Sequence, residues 1–479
     1  MAIRKIVSEE NKMNKFLNVF VILAVFIGLT YSVGLAQVTP PEVEEEMYPG
    51  TYIEIAKEVT TPAIPPVVDI CLLEDETGSF YDDIANLQGG TTATDIFDAI
   101  TMVSPDAQFA VTGFRDYPTY PYGEPGDWVY RLLSSMSPVK QDWLDGINLL
   151  TAGGGWDEPE AQYDAIVLAA EGSENCGWRD NPNVQRILVV TTDAPFHPPD
   201  GTHINDQAST LTALNAAGIT LIGLKAPGAG GELDALATAT GGSVQPLSSD
   251  GANIASAILA ALAEVTTDVW WTEDCGPELE VVLTPEVHYD VSGETTVYFA
   301  ETISVPNATA PGVYTCEVTF LSGDYPEGGG EIGTQEISIE VIPIPIPVDI
   351  KPGSCPNPIE VTKKGVQSVA ILGTDELDVT MIDPVTVALE GVPPLRWAYE
   401  DVATPYEPYL GKEDCKMDCT TAGPDGYMDL VFKFDTPELV MAIGECEDGD
   451  CLILTLTGNF FDGRAIAGED VVWILDKQK

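Results

Sequence analysis

An apolar run that breaks into a turn of oxygen-bearing side chains occupies residues 67–83, VVDICLLEDETGSFYDD. The apolar half has the composition of a buried central strand. Asp75, Thr77 and Ser79 alternate around Gly78, so their side chains can bend toward one point at the strand's carboxyl end, which in open parallel sheets faces the ligand crevice. Carboxylate and hydroxyl oxygens are ligands that Mg²⁺ and Ca²⁺ prefer. Taken alone, this segment leaves open a second interpretation, a solvated strand-to-helix turn capped by one of the hydroxyls.

The chain as a whole is long and strongly acidic. Its 479 residues are enough for about two to four domains. It has 76 acidic against 21 basic residues, a net charge of −55, which excludes nucleic acid as a partner class because phosphate recognition needs a cationic face. Two interpretations of the charge remain, an acidic surface that keeps an exported protein soluble and a set of cation sites.

The amino terminus has the features of a secretory signal. Basic residues precede an apolar run from Phe16 to Leu35, and the small residues near its end suit cleavage after Ala36. The run is also long enough to remain as an N-terminal membrane anchor. Residues 1–36 are therefore interpreted as a signal peptide, with an anchor as the alternative, and we expect an extracellular or cell-surface protein.

Nine cysteines are compatible with an oxidising compartment. The odd number leaves at least one thiol unpaired or intermolecular, and the connectivity cannot be read from the sequence. Cys71 is interpreted either as a packed free thiol or as the partner of Cys176.

Strand and helix patterns alternate from residue 67 to about residue 268. This alternation predicts an α/β domain, a doubly wound, mostly parallel sheet with helices on both faces. Its predicted strands are Val67–Leu73, Gln108–Gly113, Arg186–Thr191, Ile219–Gly223 and Ser243–Pro246.

The segments around this domain are predicted from composition and turn spacing. Helix signals stop at Trp270 and Trp271, and two β-rich, sandwich-like domains are expected after them. The predicted organisation is a lead-in linker at 37–66, an immunoglobulin-like sandwich at 269–342, a proline-rich linker at 343–347 and a β-rich domain at 348–479.

Three further turns bring carboxylates to the carboxyl edge of the predicted sheet. Asp116 and Asp193 each follow an apolar strand, and Asp157 and Glu160 open a helix. Like charges gathered at one edge repel each other, and a bound cation offsets that repulsion. Hydroxyls and carboxylates together neutralise such a cation only in part, which leaves it able to accept one more anionic oxygen.

Four motifs, DETGSFYDD from Asp75, DEPEAQYDAI from Asp157, GWRD from Gly177 and TTDAPFH from Thr191, resemble the inserted domain of integrin β subunits. That domain is a von Willebrand factor A fold, Rossmann-like in its topology, with a metal-ion-dependent adhesion site (MIDAS). The resemblance covers about residues 66–266, and the motifs occur in the family's order. Residues from Val348, VDIKPGSCPNPI, resemble instead a recurrent module of prokaryotic secreted proteins, which implies no biochemical role.

The integrin resemblance implies three neighbouring cation sites. The adhesion-site Mg²⁺ would be held by Asp75, Thr77, Ser79 and Glu160, with Asp193 in its outer shell, and the partner's ligand would bind beside Thr77, Ser79 and Glu160. An adjacent Ca²⁺ would be held by Ser79, Asp82, Asp83 and a main-chain carbonyl near Ser249. A synergistic Ca²⁺ would be held by Asp116, Asp157, Glu160 and the carbonyl of Pro159.

Two departures from the family pattern concern the synergistic site and the choice of ligand. Gly155 stands where the family has a side-chain amide ligand of the synergistic Ca²⁺. The loop that tunes ligand choice in integrins is short here, Tyr117 to Asp127, and lacks its disulfide. Integrin partner choice is therefore not transferred to this chain.

The resemblance implies a cation-dependent adhesion protein and not an enzyme, with an extracellular protein or glycan that carries an acidic group as its ligand and with association with the cell envelope possible. Two alternatives stay open, an extracellular metal-dependent hydrolase and a structural envelope component whose metals only stabilise the fold. The three histidines, His197, His203 and His288, lie in no hydrolase motif. The first two are interpreted as polar surface in a loop rich in Pro and Gly.

Overall fold

The computed structural model describes residues 37–476 apart from residues 250 and 327. These residues form a mixed α/β structure with eight α-helices and five β-sheets. Within this described part, no helix has the length and apolar character needed to cross a lipid bilayer. The predicted signal segment, residues 1–36, lies outside the described residues.

The helices and strands have the following bounds. The helices are α1 (Tyr81–Gln88), α2 (Thr92–Val103), α3 (Lys140–Asn148), α4 (Gln162–Glu171), α5 (Gln207–Ala216), α6 (Glu232–Ala239), α7 (Ile254–Ala263) and α8 (Thr436–Ile443), with single 3₁₀ turns at Gly78–Phe80 and Val379–Met381. The strands are β1 (Gln37–Thr39), β2 (Glu42–Met47), β3 (Tyr52–Thr60), β4 (Val68–Asp75), β5 (Gln108–Phe114), β6 (Arg131–Ser137), β7 (Gln185–Thr192), β8 (Ile219–Lys225), β9 (Val244–Pro246), β10 (Thr267–Glu273), β11 (Glu280–Thr284), β12 (Val287–Val291), β13 (Thr296–Ser304), β14 (Gly312–Asp324), β15 (Gly328–Val341), β16 (Ile344–Pro345), β17 (Val348–Ile350), β18 (Pro358–Glu360), β19 (Val366–Ile371), β20 (Ile382–Leu389), β21 (Arg396–Glu400), β22 (Asp429–Asp435), β23 (Cys451–Phe460) and β24 (Ala465–Leu475).

Strand β4 lies in the middle of a six-stranded sheet with the order β6-β5-β4-β7-β8-β9. Every residue of β4 is buried. Ile70 and Leu72 join one apolar cluster, with residues of α1, α2, α3 and α7. Cys71 and Leu73 join a second cluster, with residues of α4, α5 and α6. Because successive side chains of a strand point to opposite faces, the apolar run at β4 is buried between two helical layers.

One of the two edge strands of this sheet, β6, was not among the predicted strands. It pairs antiparallel with β5, whereas β5, β4, β7, β8 and β9 pair in parallel. Its sequence, RLLSSMS, is partly exposed throughout. An edge strand of this kind needs no continuous apolar run, so its signal in the sequence is weak.

The prediction that residues 37–66 form an exposed lead-in is wrong. Strands β1 and β3 join β13 and β11 in one sheet, and β2 joins β15 at the edge of a second sheet. In β2, EVEEEM, Val43 and Met47 are buried and Glu45 between them is half-buried, so the strand packs one face inward despite its four Glu residues. These strands and β10–β15 share one apolar cluster, and the α/β unit is therefore inserted between β3 and β10 of a β unit.

The predicted linker at 343–347 also belongs to a sheet. Its strand β16 pairs in parallel with β24, and Ile346 is buried in the apolar cluster of the following unit. That unit has two sheets, β16-β24-β23-β20 with β18 beside β24, and β17-β19-β22-β21. Helix α8 packs into the same cluster through Leu439.

Four disulfides join cysteines within these units: Cys71–Cys176, Cys275–Cys316, Cys355–Cys419 and Cys415–Cys451. Cys446 is the one free cysteine of the described residues, as the odd number predicts. Disulfides of this kind fit an extracellular location.

Candidate metal centre

Side chains from two turns form a continuous hydrogen-bonded chain where β4 and β7 end. Thr77 donates to Asp75 Oδ1 from its backbone N at 2.9 Å and from its Oγ1 at 2.6 Å. Thr77 Oγ1 lies 3.1 Å from Ser79 Oγ, and Ser79 Oγ donates to Asp193 Oδ1 at 3.1 Å. These hydrogen bonds can join the two turns because β4 and β7 are adjacent and parallel, so both turns lie at the same edge of the sheet. The structure thus brings together four of the side chains predicted for the adhesion-site cation.

Two carboxylates at this edge are buried, which disfavours their ionised forms. Asp75 is 0% exposed and Glu160 is 4% exposed. Burial raises the pKa of Asp75 to about 7, although the hydroxyl of Thr77 lowers it by donating a hydrogen bond. Burial, followed by the charges of Asp75, Asp116, Asp157 and Asp193, raises the pKa of Glu160 to about 10. Glu160 Oε2 has no hydrogen-bond partner among the described residues. A cation at this edge would satisfy that oxygen and offset the repulsion.

Pairing between two loops holds Glu160 at the edge. Its backbone N donates to the carbonyl of Pro195 at 3.1 Å, and its carbonyl accepts from the N–H of His197 at 2.9 Å. Gly155 lies against its side chain: a Cβ at that position would be 2.7 Å from Glu160 Oε1, and the backbone φ is +65°. Glycine meets both conditions without strain.

Asp116 and two histidines form a second cluster beside the first. One ligand atom from each of Asp116, His197 and His203 lies within 4.8 Å of the other two. His203 Nε2 is 3.1 Å from Asp116 Oδ1, and His197 Nε2 is 3.6 Å from Asp157 Oδ2. All three clustered residues are buried. They could hold a metal ion, and the structure joins Asp116 and Asp157, both predicted for the synergistic site, to the two histidines.

The short loop from Tyr117 to Asp127 covers this second cluster. The rings of Tyr117 and Tyr122 contact His203 edge-on, with centroids 4.5 and 4.7 Å away. Their hydroxyls donate to Asp164 Oδ2 and Asp200 Oδ2 at 2.6 and 2.7 Å. The loop therefore separates the histidines from solvent.

Burial of the histidines corrects the prediction that they are polar surface. His197 is 9% exposed and His203 is 2% exposed, and the two rings stack with centroids 3.6 Å apart. The signal in the sequence was the position of His197, four residues after Asp193 on the turn that leaves β7. The position of His203 gave no comparable signal, because it depends on a long loop that folds back to Asp116.

Residues predicted for the adjacent Ca²⁺ site lie at the start of α1 and before α7. Asp83 is buried in the first turn of α1, and Asp82 beside it is exposed. The backbone at Gly251 lies against Asp83, since a Cβ there would be 2.7 Å from the Cα of Asp83. Ser249, two residues before Gly251, is exposed. The segment before α7 and the start of α1 are thus neighbours.

Two further acids of the opening motif have structural roles that the sequence did not reveal. Glu76 is buried, pairs with Arg131, and accepts from the backbone N of Thr151 at 2.7 Å. Glu74 is buried and accepts from Thr191 Oγ1 at 2.9 Å, and burial raises the pKa of Glu74 well above its usual range. Their partners come from distant segments, so neither role has a local signal.

Comparison with known proteins gives partial similarity to integrin β subunits. Integrin beta-4 of Rattus norvegicus is 26% identical over 212 residues, which cover 40% of this chain and 11% of that protein. Integrin beta-1-A of Xenopus laevis and integrin beta-1 of Gallus gallus are each 26% identical over 146 residues, 27% of this chain and 18% of those proteins. The chain thus spans less than a fifth of the length of these curated relatives. No family profile matches it. These similarities support an integrin-like domain in this chain.

Proposed function

We propose that the α/β unit is a von Willebrand factor A domain of the integrin β type, and that it binds an acidic group of an extracellular partner through a divalent cation. Asp75, Thr77, Ser79 and Glu160 would hold Mg²⁺, with Asp193 hydrogen-bonded to Ser79. When bound, the ion supplies a positive charge with a free position for one more oxygen ligand. The partner would be a protein or glycan outside the cell.

The observation that carries the proposal is the unsatisfied Glu160 carboxyl among other carboxylates at the end of β4. Its raised pKa has burial and neighbouring negative charges as causes, and its Oε2 lacks a partner among the described residues. The proposed ligand atoms of Asp75, Thr77, Ser79 and Glu160 are all side-chain oxygens, the ligand set that suits Mg²⁺. Ser79 is exposed while Asp75 is buried, so the open side of this edge faces solvent, where a partner's carboxylate could reach it.

A second cation, Ca²⁺, is proposed beside the first, held by Ser79, Asp82, Asp83 and the main chain near Ser249. The close approach of Gly251 to Asp83 supports it. Adhesion is proposed over the hydrolase alternative because Tyr122 contacts the rings of both buried histidines edge-on, which restricts the approach of a substrate to them. The other alternative, an envelope component whose metals only stabilise the fold, differs from an adhesion protein because it predicts no partner whose binding depends on a cation.

Calorimetric titration of chelator-treated full-length protein with Mg²⁺ tests the cation. We expect uptake by the wild type, loss of uptake in Asp75→Asn, and unchanged uptake in Asp98→Asn, whose carboxylate lies in an exposed ion pair with Lys140. No uptake by the wild type, or equal uptake by Asp75→Asn, would contradict the proposal.

A peptide display library tests whether the proposed cation site binds acidic side chains. Peptides bound in Mg²⁺ and released by chelator should be enriched in Asp and Glu, and Asp75→Asn should release none above background. Peptides without such enrichment would favour the structural alternative. Pull-down from envelope extracts with and without chelator would then identify the partner.

A further inference from the structure

The cluster of Asp116, His197 and His203 contains donors that a calcium site does not use. Ca²⁺ takes six to eight oxygen ligands, and imidazole nitrogen suits Zn²⁺ and the other first-row transition ions. His203 Nε2 is 3.1 Å from Asp116 Oδ1, and Asp157, predicted to share that Ca²⁺, faces His197 Nε2 at 3.6 Å. These four residues do not fit the synergistic Ca²⁺ that the family resemblance implies.

We propose that this cluster is a transition-metal site of the zinc type, with Asp116, His197, His203 and Asp157 as its ligands. The set of two nitrogens and two carboxylates is one that Zn²⁺ binds in a tetrahedral arrangement. In a tetrahedral site, metal–ligand bonds of about 2.0–2.2 Å place two ligand atoms about 3.3–3.6 Å apart. The clustered atoms of Asp116, His197 and His203 lie within 4.8 Å of one another. Side-chain rotations that tilt the two stacked histidine rings apart would bring these three ligands to that spacing.

Unsatisfied polar atoms around the cluster point to a missing ligand. Both ring nitrogens of His197, Asp116 Oδ2 and Asp157 Oδ1 are buried without a hydrogen-bond partner among the described residues. His197 is only 9% exposed, and Asp116 is 0% exposed. A simple hydrogen bond between Asp116 and His203 leaves all of these atoms unpaired, at about 1–3 kcal/mol for each group. One cation between them would satisfy one ring nitrogen of His197 and the two carboxylate oxygens.

A contact on the side of the ring opposite Nε2 orients His203 as a metal ligand. Its Nδ1 is 3.2 Å from Asp200 Oδ1, so a proton on Nδ1 can be donated to that carboxylate and the lone pair of Nε2 then points to Asp116. A carboxylate behind a ligating histidine is the usual arrangement in zinc sites. Asp200 is itself fixed, because it accepts from the backbone N–H groups of Thr202 and His203 at 3.0 Å each.

Cobalt(II) titration of the chelator-treated full-length chain tests the site, because four-coordinate Co²⁺ absorbs visible light far more strongly than hydrated Co²⁺. We expect one Co²⁺ per chain, displaced by Zn²⁺ and not by excess Ca²⁺. His197→Gln and His203→Gln should abolish the bands, and His288→Gln, which changes the histidine remote from the cluster, should retain them. Asp200→Asn should weaken Co²⁺ binding about 10–100-fold.

Asp75→Asn separates this proposal from the proposed function. It should lose Mg²⁺ uptake and keep the cobalt bands, so failure of one site leaves the other testable. Absence of bands in the wild type, bands that persist in both histidine variants, or bands lost in Asp75→Asn would overturn the assignment. If the histidine variants do not fold, crystals of the wild type soaked in Zn²⁺ give the answer: anomalous density at the zinc edge between His203 and Asp116 supports the site, and its absence overturns it.

Discussion

Thr192, the last residue of β7, donates a hydrogen bond from its Oγ1 to Oδ2 of Asp75 at 3.0 Å. Gln162 Nε2 donates in turn to Thr192 Oγ1 at 2.9 Å. Asp75 Oδ1 accepts from Thr77, so hydrogen bonds from both sides fix the orientation of this buried carboxylate. The preorganised carboxylate is the centre of the proposed Mg²⁺ site, and Thr192 supports it without being a proposed ligand.

Thr192→Val should weaken Mg²⁺ binding about 10–100-fold, the usual effect of removing a group that orients a metal ligand. Valine keeps the shape of threonine and removes the hydroxyl that donates to Asp75 and accepts from Gln162 Nε2 and from the backbone N of Ala194. Calorimetric Mg²⁺ titration measures the change. Thr212→Val is the matched control, because the Thr212 hydroxyl bonds only to the backbone carbonyl of Ala208 on the exposed face of α5. Wild-type affinity in Thr192→Val would show that Asp75 needs no such support.

The free energy of unfolding of the chelator-treated protein should fall as the pH rises. The pKa of Glu160 is about 10 in the folded protein against an ordinary value of 4.5, so the folded state keeps a proton that the unfolded chain loses between these values. Asp75, whose pKa is also raised, acts in the same direction between 3.8 and about 7. Each such group lowers the free energy of unfolding by about 1.4 kcal/mol per pH unit within its window.

Denaturant unfolding at about pH 5, 6 and 7, with chelator and with Mg²⁺, measures this effect. Mg²⁺ should flatten the decline because it stabilises the ionised carboxylates. Glu160→Gln should reduce the decline in chelator and remove the response to Mg²⁺, while Glu171→Gln at the exposed end of α4 should behave as the wild type. Equal slopes in Glu160→Gln and the wild type would contradict the role given to Glu160.

Gly155→Ala should damage both stability and cation binding. The left-handed backbone at residue 155 costs a non-glycine residue about 1–2 kcal/mol, and the new Cβ would lie 2.7 Å from Glu160 Oε1. Gly90→Ala is the control, because Gly90 has a similar φ of +58° and an alanine methyl there would meet no atom within 4 Å. It should show the loss of stability alone. Mg²⁺ affinity that falls equally in both variants would mean that the contact with Glu160 is unimportant.

Lys57→Met should lower the free energy of unfolding of the β unit by about 3–5 kcal/mol, because it leaves the buried carboxylate of Glu301 without a counter-ion. Both side chains are 0% exposed, and Lys57 Nζ lies 3.5 Å from Glu301 Oε2. Lys57→Met with Glu301→Leu should recover most of the loss. Lys140→Met, in an exposed pair with Asp98, should change stability by about 0–1 kcal/mol. Thermal or denaturant unfolding provides the measurement.

The sequence predicted the strands β4, β5, β7, β8 and β9 to within a few residues, since buried parallel strands have apolar runs that are visible locally. It also predicted that Asp75, Thr77, Ser79 and Asp193 would meet, and they form one hydrogen-bonded chain. That meeting follows from strand order alone, because turns that leave adjacent parallel strands emerge at one edge. The cation itself stays a proposal.

What the sequence by itself determined is therefore local: which runs become buried strands, and which turns carry oxygen ligands. Only the tertiary structure decided that β3 pairs with β13, more than 200 residues later, as in the bond between Thr60 and Thr296 at a separation of 236 residues. Only the tertiary structure placed His203 against Asp116, 87 residues apart. The physical reason is that such pairings form when residues of distant segments together bury apolar surface and pair their polar groups. The sequence of one segment does not show which distant segment will supply those contacts.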